Sequence, residues 1–305
     1  MFSVLICILY NLTFLYVEFD ILINQIIKGL VLDLSNRGAS MDLKLHGVRG
    51  SIPVPSKDVL KYGGHTTCME ISCETFQLII DLGSGFKNVK IKKNIPTFIV
   101  FSHFHHDHTQ GFPFNPAVYE KDNQFHISSA LLNRRGILKV LKNCFSPPVF
   151  PLDILNDNIN FNVLNFDTFK AAAIDFFKIE TFPLCHPGGA AGYKVSVCNK
   201  SVVYALDHEF GLEKNIDDGL LQAASNCDVV IWDGMYTKNE IKSKQGWGHS
   251  SIEQGVIFFN KSKAKKLLIS HHAPERDDKE LDIMSDNILP KGVFFAKENK
   301  KIKLF

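Results

Sequence analysis

The chain has 305 residues, of which 45% are hydrophobic and 22% are charged, and its formal net charge is +2. This balance is that of a globular protein, and it excludes a disordered, collagen-like or coiled-coil chain. So small a charge surplus gives no general support for nucleic-acid binding. Seven cysteines without a CxxC pair predict reduced thiols, and 12 histidines indicate metal ligands or proton carriers.

The first 40 residues differ in composition from the rest of the chain. Residues 1–16 are strongly apolar, but they lack the basic start and cleavage site of a secretory signal and are too short for a spanning helix. At Met41 the sequence changes to MDLKLHGVRGSIP, which is typical of the first strand of a soluble domain. We predict that 1–40 is an apolar extension that is not part of the native protein if Met41 is the start, and that 41–305 is one domain. A poorly structured or membrane-associating segment stays open as a second interpretation of 1–40, and a transmembrane anchor as a third.

Short apolar runs that end in a polar residue recur along the chain after residue 41. Runs of four to six β-branched or aromatic residues before Gly, Pro or Asp are typical of buried strands. They end at Asp81, His103, His186, Asp207, Asp233 and His271. Helical patches lie between them at 129–143, 217–226 and 251–260. Strands that alternate with helices predict a layered α/β fold whose polar strand ends share one rim.

The strongest chemical signal is the motif HxHxDH, which closes one of the apolar strands. Its members are His103, His105, Asp107 and His108. On extended backbone the first two histidines point to the same side, and the turn that follows lets the other two residues face a second position. Imidazoles and a carboxylate suit zinc, manganese or iron. One cluster cannot complete two metal shells, and the candidates for the remaining ligands are His186, Asp207 and His271.

With these residues in this order, the chain resembles the metallo-β-lactamase superfamily of dinuclear metal hydrolases. Six segments resemble its phosphodiesterase-like branch, which is related to ribonuclease Z and to bacterial cyclic-nucleotide phosphodiesterases: GVRGSIPVP, YGGHTTC, SHFHHDHTQGFPF, HPGGAAGYKV, GWGHSS and SHHAPERDD. The resemblance covers essentially residues 41–305. It implies a four-layer αββα sandwich, the metallo-β-lactamase fold, with the metals at the rim between the two sheets.

The resemblance also implies two divalent metal ions, with zinc preferred over manganese or iron. The ligands of the first ion would be His103, His105 and His186. The ligands of the second ion would be Asp107, His108 and His271. Asp207 would bridge both ions.

Three residues form the predicted catalytic set: His249, Asp81 and Asp107. Asp81, in the DLGSG turn, is similar to the family residue that orients metal ligands from behind. His249, in GWGHSS, is similar to a histidine that protonates the leaving group or contacts the phosphate in ribonuclease-Z-like enzymes. The chain departs from the branch pattern where it carries His65, His106 and His208. Each of these could change the polarity of the pocket or compete for metal.

The implied function is that of a metal-dependent hydrolase in which a hydroxide shared by two metals attacks a phosphodiester. A thiolate leaves unaided, whereas a ribose alkoxide needs a proton, so the histidine of GWGHSS favours a small or cyclic nucleotide over a thioester or lactone of the glyoxalase II type. A tRNA 3′-processing activity is the other alternative. The sequence lacks the long basic arm with which ribonuclease Z grips tRNA, so nucleic acid is not favoured.

These interpretations also imply the partner, the location and the oligomeric state of the protein. We expect a small phosphodiester as the partner, a cytoplasmic location and no stable membrane partner unless residues 1–40 are native. Relatives of this kind are often dimers, so a homodimer is the open alternative to a monomer.

Overall fold

The structure, a computed structural model, describes residues 41–155 and 161–304, and the predicted extension over 1–40 lies outside them. The strands in the described residues are β1 (Asp42–Gly47), β2 (Cys68–Ser72), β3 (Gln77–Ile80), β4 (Thr97–Phe101), β5 (Phe125–Ser129), β6 (Phe161–Val163), β7 (Lys178–Leu184), β8 (Ala190–Val197), β9 (Lys200–Ala205), β10 (Val229–Asp233), β11 (Lys266–Ser270), β12 (Val293–Phe295) and β13 (Lys301–Lys303). The helices are α1 (His106–Thr109), α2 (Arg134–Cys144), α3 (Phe166–Ala173), α4 (Lys214–Ala224), α5 (Ile252–Ser262) and α6 (Asp278–Ile288).

The strands form two mixed sheets. The first has the order β13-β1-β2-β3-β4-β5-β6, and the second has the order β12-β11-β10-β9-β8-β7. Strands β3 to β6 are parallel in the first sheet, and β9 to β12 are parallel in the second. Parallel strands bring their carboxyl ends to the same edge. The polar residues that follow these strands are therefore collected along one rim.

Alternation along the strands divides the core into layers. On β10, Val229 and Ile231 belong to the cluster between the sheets, whereas Val230 and Trp232 pack with residues of α4, α5 and α6. The opposite sheet is built in the same way, and its outer cluster includes residues of α2. Side chains of a strand point alternately to its two faces, so each sheet separates the central core from an outer helical layer. The predicted α/β sandwich is confirmed.

The first predicted helix, over 129–143, begins later than expected. Residues Phe125–Ser129 are strand β5, which pairs with β4, and helix α2 starts only at Arg134. The side chain of Asn133 accepts a hydrogen bond from the backbone N–H of Gly136, which satisfies one of the free donors at the helix start. Ser129, the last strand residue, and the connecting residues 130–133 were wrongly assigned to the helix.

The other two predicted helices are present with shifted bounds. The patch at 217–226 corresponds to Lys214–Ala224, and the patch at 251–260 corresponds to Ile252–Ser262. Ser251 caps the second of these with a full capping box, so its start agrees with the sequence pattern. Within the described residues, no helix combines the length and apolar character needed to cross a membrane.

The guanidinium of Arg49 joins three of the motif segments. Its Nε donates to the carbonyl of Gly63 at 2.7 Å, and its Nη1 donates to the carbonyls of Ala273 at 3.0 Å and Arg276 at 2.5 Å. Arg49 is fully buried. The GVRGS, YGGHTTC and SHHAPERDD segments are therefore held together by one side chain below the rim.

Glu298 lies beside this junction and makes stability depend on pH. Burial raises the pKa of its carboxyl to about 7 from the ordinary 4.5, although the backbone N–H of His65 donates to it. The unfolded chain ionises near pH 4.5, so folding loses stability as the pH rises from 4.5 to 7 and the loss is complete above about 7. We expect Glu298→Gln to raise the free energy of unfolding by about 2 kcal/mol at pH 8 and by little at pH 4.

Urea unfolding of the full chain at both pH values measures this effect. The exposed Glu74→Gln provides the matched control and should leave the unfolding free energy unchanged at both. A gain for Glu298→Gln that is equal at pH 4 and pH 8 would contradict the assignment.

Candidate metal centre

The predicted site residues meet at the rim of the two sheets. Asp81 follows β3, His103 follows β4, and Asp207 and His271 follow β9 and β11. Asp81, Asp207 and His271 have φ values of 60°, 62° and 58°. This left-handed region is unusual for residues other than glycine, and it is enriched at functional sites. It turns the chain sharply where each strand ends.

Three histidines form the first group of convergent donors. The nitrogen atoms of His103, His105 and His186 lie within 4.8 Å of one another. His105 Nδ1 and His186 Nε2 are 3.1 Å apart. Two ligands at about 2.1 Å from a tetrahedral zinc ion are separated by about 3.4 Å, so this spacing suits a shared cation.

A second group lies next to the first. It consists of Asp107, His108, Asp207 and His271, whose ligand atoms also lie within 4.8 Å of one another. Asp107 Oδ2 is 3.4 Å from His108 Nε2 and 3.7 Å from His271 Nε2. The backbone N–H of Ser51 donates to the same carboxylate oxygen at 2.9 Å, which fixes its direction. This group offers both carboxylate and imidazole ligands.

Asp207 lies between the two groups. Its Oδ1 is 3.9 Å from His103 Nε2, 3.6 Å from His186 Nε2 and 3.5 Å from His271 Nε2. Its Oδ2 is 2.9 Å from His108 Nε2, but the approach lacks the angle of a hydrogen bond. The carboxylate thus lies near histidines of both groups, as a bridging ligand would: Oδ1 faces both groups and Oδ2 faces the second.

Unpartnered buried atoms test whether these residues fit metal ions. The following atoms are buried without a hydrogen-bond partner: His103 Nε2, His108 Nε2, Asp207 Oδ2 and His271 Nε2. Buried polar atoms are almost always hydrogen-bonded, and leaving them unpaired is costly. All four face the space between the two groups. The donor set therefore fits divalent cations, which would satisfy these atoms together.

In four of the predicted ligand histidines, the ring nitrogen Nδ1 contacts a neighbouring side chain or backbone group. His108 Nδ1 lies 2.8 Å from Asp81 Oδ2, and His186 Nδ1 lies 2.8 Å from the carbonyl oxygen of Gly248. Weaker contacts join His103 to Ser102 Oγ at 3.1 Å and His271 to Thr67 Oγ1 at 3.3 Å. Such contacts fix the ring orientation and leave Nε2 for a metal ion.

Asp81 is the centre of a buried hydrogen-bond network. Its carboxylate accepts from the backbone N–H of Ser102 at 2.7 Å, from Ser102 Oγ at 2.6 Å and from the Tyr204 hydroxyl at 2.5 Å. With the contact to His108, it reaches two strands and the HxHxDH turn. Asp81 thus contacts one of the predicted ligands, His108, and its orienting role stays a prediction.

Burial and neighbouring charges shift the pKa values of three predicted ligands strongly. Burial and the neighbouring His108 hold the pKa of His103 well below its ordinary value, so this ring is neutral and able to bind a cation. Burial also disfavours a charged His108, but Asp207, Asp107 and Asp81 surround it and hold its pKa well above the ordinary value. Burial opposes ionisation of Asp207, yet the adjacent histidines hold its pKa well below the ordinary value. The three carboxylates around His108 therefore favour a positive charge at this position.

His249 lies against the centre without belonging to either ligand group in the predicted scheme. Its ring stacks on His271 at 5.0 Å between centroids, and its Nδ1 lies 2.8 Å from Asp233 Oδ2. Burial lowers its basicity, but Asp233 outweighs this and raises the pKa of His249 to about 9. Because Nδ1 donates to the carboxylate, Nε2 is the nitrogen that can serve a substrate. His249, Asp233, Asp207 and His271 also form a third convergent group.

The three departures from the branch pattern lie outside the ligand groups. His106 is exposed, and His65 is half-buried with its Nδ1 3.1 Å from Ser84 Oγ. His208 is buried, but its Nδ1 accepts from the backbone N–H of Cys185 and its Nε2 contacts Asp217 at 3.0 Å. Both nitrogens of His208 are thus used in holding the strand end.

Two acidic residues in the site were not assigned from the sequence. Asp233 was noted only as the end of an apolar run, although its position on the same rim as Asp207 was the available signal. Glu209 accepts from the backbone N–H groups of Gly246 and Gly248, both at 2.8 Å. These partners lie 37 and 39 positions away, so no local pattern reveals the contact.

A family model described as "Beta-lactamase superfamily domain" matches residues 87–272, which is well over half of the chain. The chain belongs to the metallo-β-lactamase superfamily. The chain is a metal-dependent hydrolase, and the family prediction from the sequence is confirmed. Its fold implies divalent metal ions, and the two donor groups fit them.

Individual relatives agree with this placement. A stretch of 97 residues is 26% identical to ribonuclease Z from Bacillus subtilis (strain 168), and it covers 31% of this chain and 30% of that protein. The metallo-β-lactamase fold protein YhfI from Bacillus subtilis has a TM-score of 0.66 at 16% identity, over 87% of this chain and 99% of that chain. A diphosphatase from the PhnP family has a TM-score of 0.61 at 17% identity, over 87% and 98%. Human tRNase Z, short form, has a TM-score of 0.58 at 17% identity, over 86% and 98%. These superfamily structures share the fold of this chain.

Proposed function

We propose that the chain hydrolyses a small phosphodiester, such as a cyclic nucleotide, with two divalent metal ions of which zinc is the first choice. The observation that carries this proposal is the His249–Asp233 pair, which lies beside Asp207 between the two donor groups. A carboxylate-oriented histidine next to a dinuclear centre is suited to protonate a leaving group. A small substrate is proposed because the net charge is only +2.

Each part of the site has a task in this reaction. When bound, the two ions would activate a water molecule for attack at phosphorus and neutralise the charge of the phosphoryl oxygens. The predicted ligands of the first ion are His103, His105 and His186, those of the second are Asp107, His108 and His271, and Asp207 would bridge. His249 would give its Nε2 proton to the leaving oxygen as the P–O bond breaks, and solvent would return a proton to the ring. Asp233 would keep Nδ1 protonated and the ring aligned.

The leaving group distinguishes this proposal from a thioester or lactone hydrolase of the glyoxalase II type. A thiolate whose conjugate acid has a pKa of roughly 8.5 departs without help, so a thioester hydrolase has no use for His249. An alkoxide is much more basic and needs the proton. Cleavage of an RNA 3′ end is the second candidate, since part of the chain resembles ribonuclease Z. A homodimer and a cytoplasmic location stay predictions from the sequence.

The test is metal content followed by activity of the full chain purified without chelator. We expect mass spectrometry to find about two divalent ions per chain, and we expect hydrolysis of bis(p-nitrophenyl) phosphate. Chelation should abolish the activity, and Zn²⁺ or Mn²⁺ should restore it. A correctly folded chain without metal above background would contradict the dinuclear proposal. Hydrolysis of a thioester alone would assign the chain to the glyoxalase II type.

A further inference from the structure

A cleft beside the metal centre carries an exposed tryptophan. Trp247 is 57% exposed, whereas Trp232 is wholly buried. The cleft has a volume of about 560 Å³, and its walls include Ser51, Ile52, Tyr236, Lys244, Trp247 and His249. We call it the Trp247 cleft. Because His249 is part of its wall, and Ser51 in the same wall donates its backbone N–H to Asp107, the cleft opens directly beside the metal centre.

The loop that bears Trp247 is fixed in place. Glu209 is buried and binds the backbone N–H groups on both sides of the tryptophan, those of Gly246 and Gly248. Gly248 has φ 83°, and a Cβ atom there would lie 2.2 Å from His186 Nδ1, so the loop packs directly on a predicted ligand. The indole is thus exposed on a rigid support. A pre-organised aromatic surface binds a partner at low entropic cost.

The chemistry of the indole favours a planar ring as its partner. Lys244 Nζ lies 4.0 Å from the centroid of the Trp247 ring system, a cation–π contact that covers part of one face. The rest of the exposed ring is open to stacking, and Tyr236 and Ile52 add apolar surface to the same cleft. A nucleobase stacks on such a side chain whatever its identity, because every base has a π-face.

The charges of the cleft limit how large the nucleotide is. Its acidic residues are Glu240, Glu275 and Glu280, and its basic residues are Lys244, Arg276 and His249. Arg276 is already engaged, because its Nη2 lies 2.6 Å from Glu240 Oε2. The cleft has as many acidic as basic residues, so it lacks the surplus of lysines or arginines on which the binding of a chain of phosphates depends. A substrate with a single phosphodiester, held by the metal centre, needs no such surplus.

We propose that the Trp247 cleft binds the base of a small nucleotide phosphodiester by stacking on the indole, and that it rejects a polynucleotide. The proposal rests on the proposed function for the reacting group. Recognition of the base is nevertheless measurable without turnover, so the two can fail separately.

The first experiment compares adenosine 5′-monophosphate with ribose 5-phosphate on the metal-loaded full chain by calorimetry. Both carry the same phosphate, and only the former has a base. We expect the nucleotide to bind at least about tenfold more tightly, the gain that stacking on one aromatic side chain gives. We also expect it to quench tryptophan fluorescence, which reports on Trp247 because Trp232 is buried. Equal affinities would overturn the proposal.

Two variants and a control test whether Trp247 causes the tighter binding of the nucleotide. Trp247→Ala should reduce the affinity for the nucleotide to that for ribose 5-phosphate, whereas Trp247→Phe should keep most of the difference. Phe294→Ala is the matched control, since Phe294 is 49% exposed on β12 and is not part of the cleft. It should change neither affinity. An undiminished preference for the nucleotide in Trp247→Ala would overturn the assignment of the indole.

The second experiment replaces the mononucleotide with a single-stranded oligoadenylate of ten nucleotides. We expect it to bind no more tightly than adenosine 5′-monophosphate at physiological salt. A more than tenfold tighter, salt-dependent association would show that the cleft takes RNA. If the base preference is found but no phosphodiester is hydrolysed, the proposed function fails and the cleft assignment stands. If bis(p-nitrophenyl) phosphate is hydrolysed and the base adds no affinity, only the cleft assignment fails.

Discussion

Asp207→Asn is expected to lower kcat/KM for phosphodiester hydrolysis by about a thousandfold and to reduce the metal content below two ions per chain. The carboxylate lies between both donor groups, with Oδ2 2.9 Å from His108 Nε2 in the second group and Oδ1 3.6 Å from His186 Nε2 in the first group. A neutral amide supplies only one good ligand oxygen and no charge. Several kcal/mol of charge stabilisation would be lost, and each 1.36 kcal/mol is a factor of ten in rate.

The same strand layer provides the control for this substitution. Asp228 precedes β10, opposite the end that carries Asp233, and is a buried carboxylate whose oxygen lies 2.8 Å from Lys265 Nζ. Asp228→Asn should keep two metals and full activity, even if it costs some stability. Asparagine also tolerates the left-handed conformation at position 207, so the variant should fold. Two bound ions with undiminished turnover in Asp207→Asn would rule out the bridging role.

His249→Ala is expected to lower turnover of a phosphodiester with an alkoxide leaving group by about 10²- to 10⁴-fold, with metal content unchanged. The ring donates through Nε2 in the proposed reaction, and its Nδ1 is held by Asp233 at 2.8 Å. A p-nitrophenolate leaving group needs less protonation, so its loss should be smaller. The measurement is turnover of 3′,5′-cyclic AMP and of bis(p-nitrophenyl) phosphate by the unmodified chain and by His249→Ala. Comparison of the two substrates separates the proton transfer from metal binding.

The pH profile gives a second measure of the same role. Asp233 keeps the pKa of His249 high, at about 9, against the effect of burial. A general acid acts only while protonated, so activity of the unmodified chain should fall as the pH rises through this pKa, and His249→Ala should lose that descending limb. His106→Ala removes an exposed histidine of the HxHxDH segment and should leave the profile intact. An equal loss for both substrates, with the limb retained in His249→Ala, would exclude the acid role.

The strand ends explain why the sequence predicted so much of the site. An apolar run that ends in His or Asp is visible in one dimension, and parallel strands bring such ends to one rim. His103, Asp207 and His271 were found in this way, and the fold that implies their meeting is confirmed. Helix boundaries were less certain, because β5 and helix α2 follow one another with only a short turn between them.

The supporting contacts were beyond the reach of the sequence. Glu209 reads as one more acidic residue after Asp207, and only the fold places it under the GWGHSS loop. The hydroxyl of Tyr204 reaches Asp81 across 123 positions from the opposite sheet. Interactions between distant strands depend on register and sheet packing, which no local pattern encodes. The role of each predicted ligand and the metal identity stay predictions that the experiments above address.

The left-handed conformation of Asp81, Asp207 and His271 has a consequence for engineering. Each such residue costs on the order of 1–3 kcal/mol of backbone strain, which glycine would relieve. Glycine, however, would remove a predicted metal ligand or the carboxylate that orients one. Selection for thermal tolerance alone would therefore enrich substitutions at positions that we propose turnover depends on. We expect stability gained at these three strand ends to cost activity, so a library designed for a more stable enzyme should hold them constant.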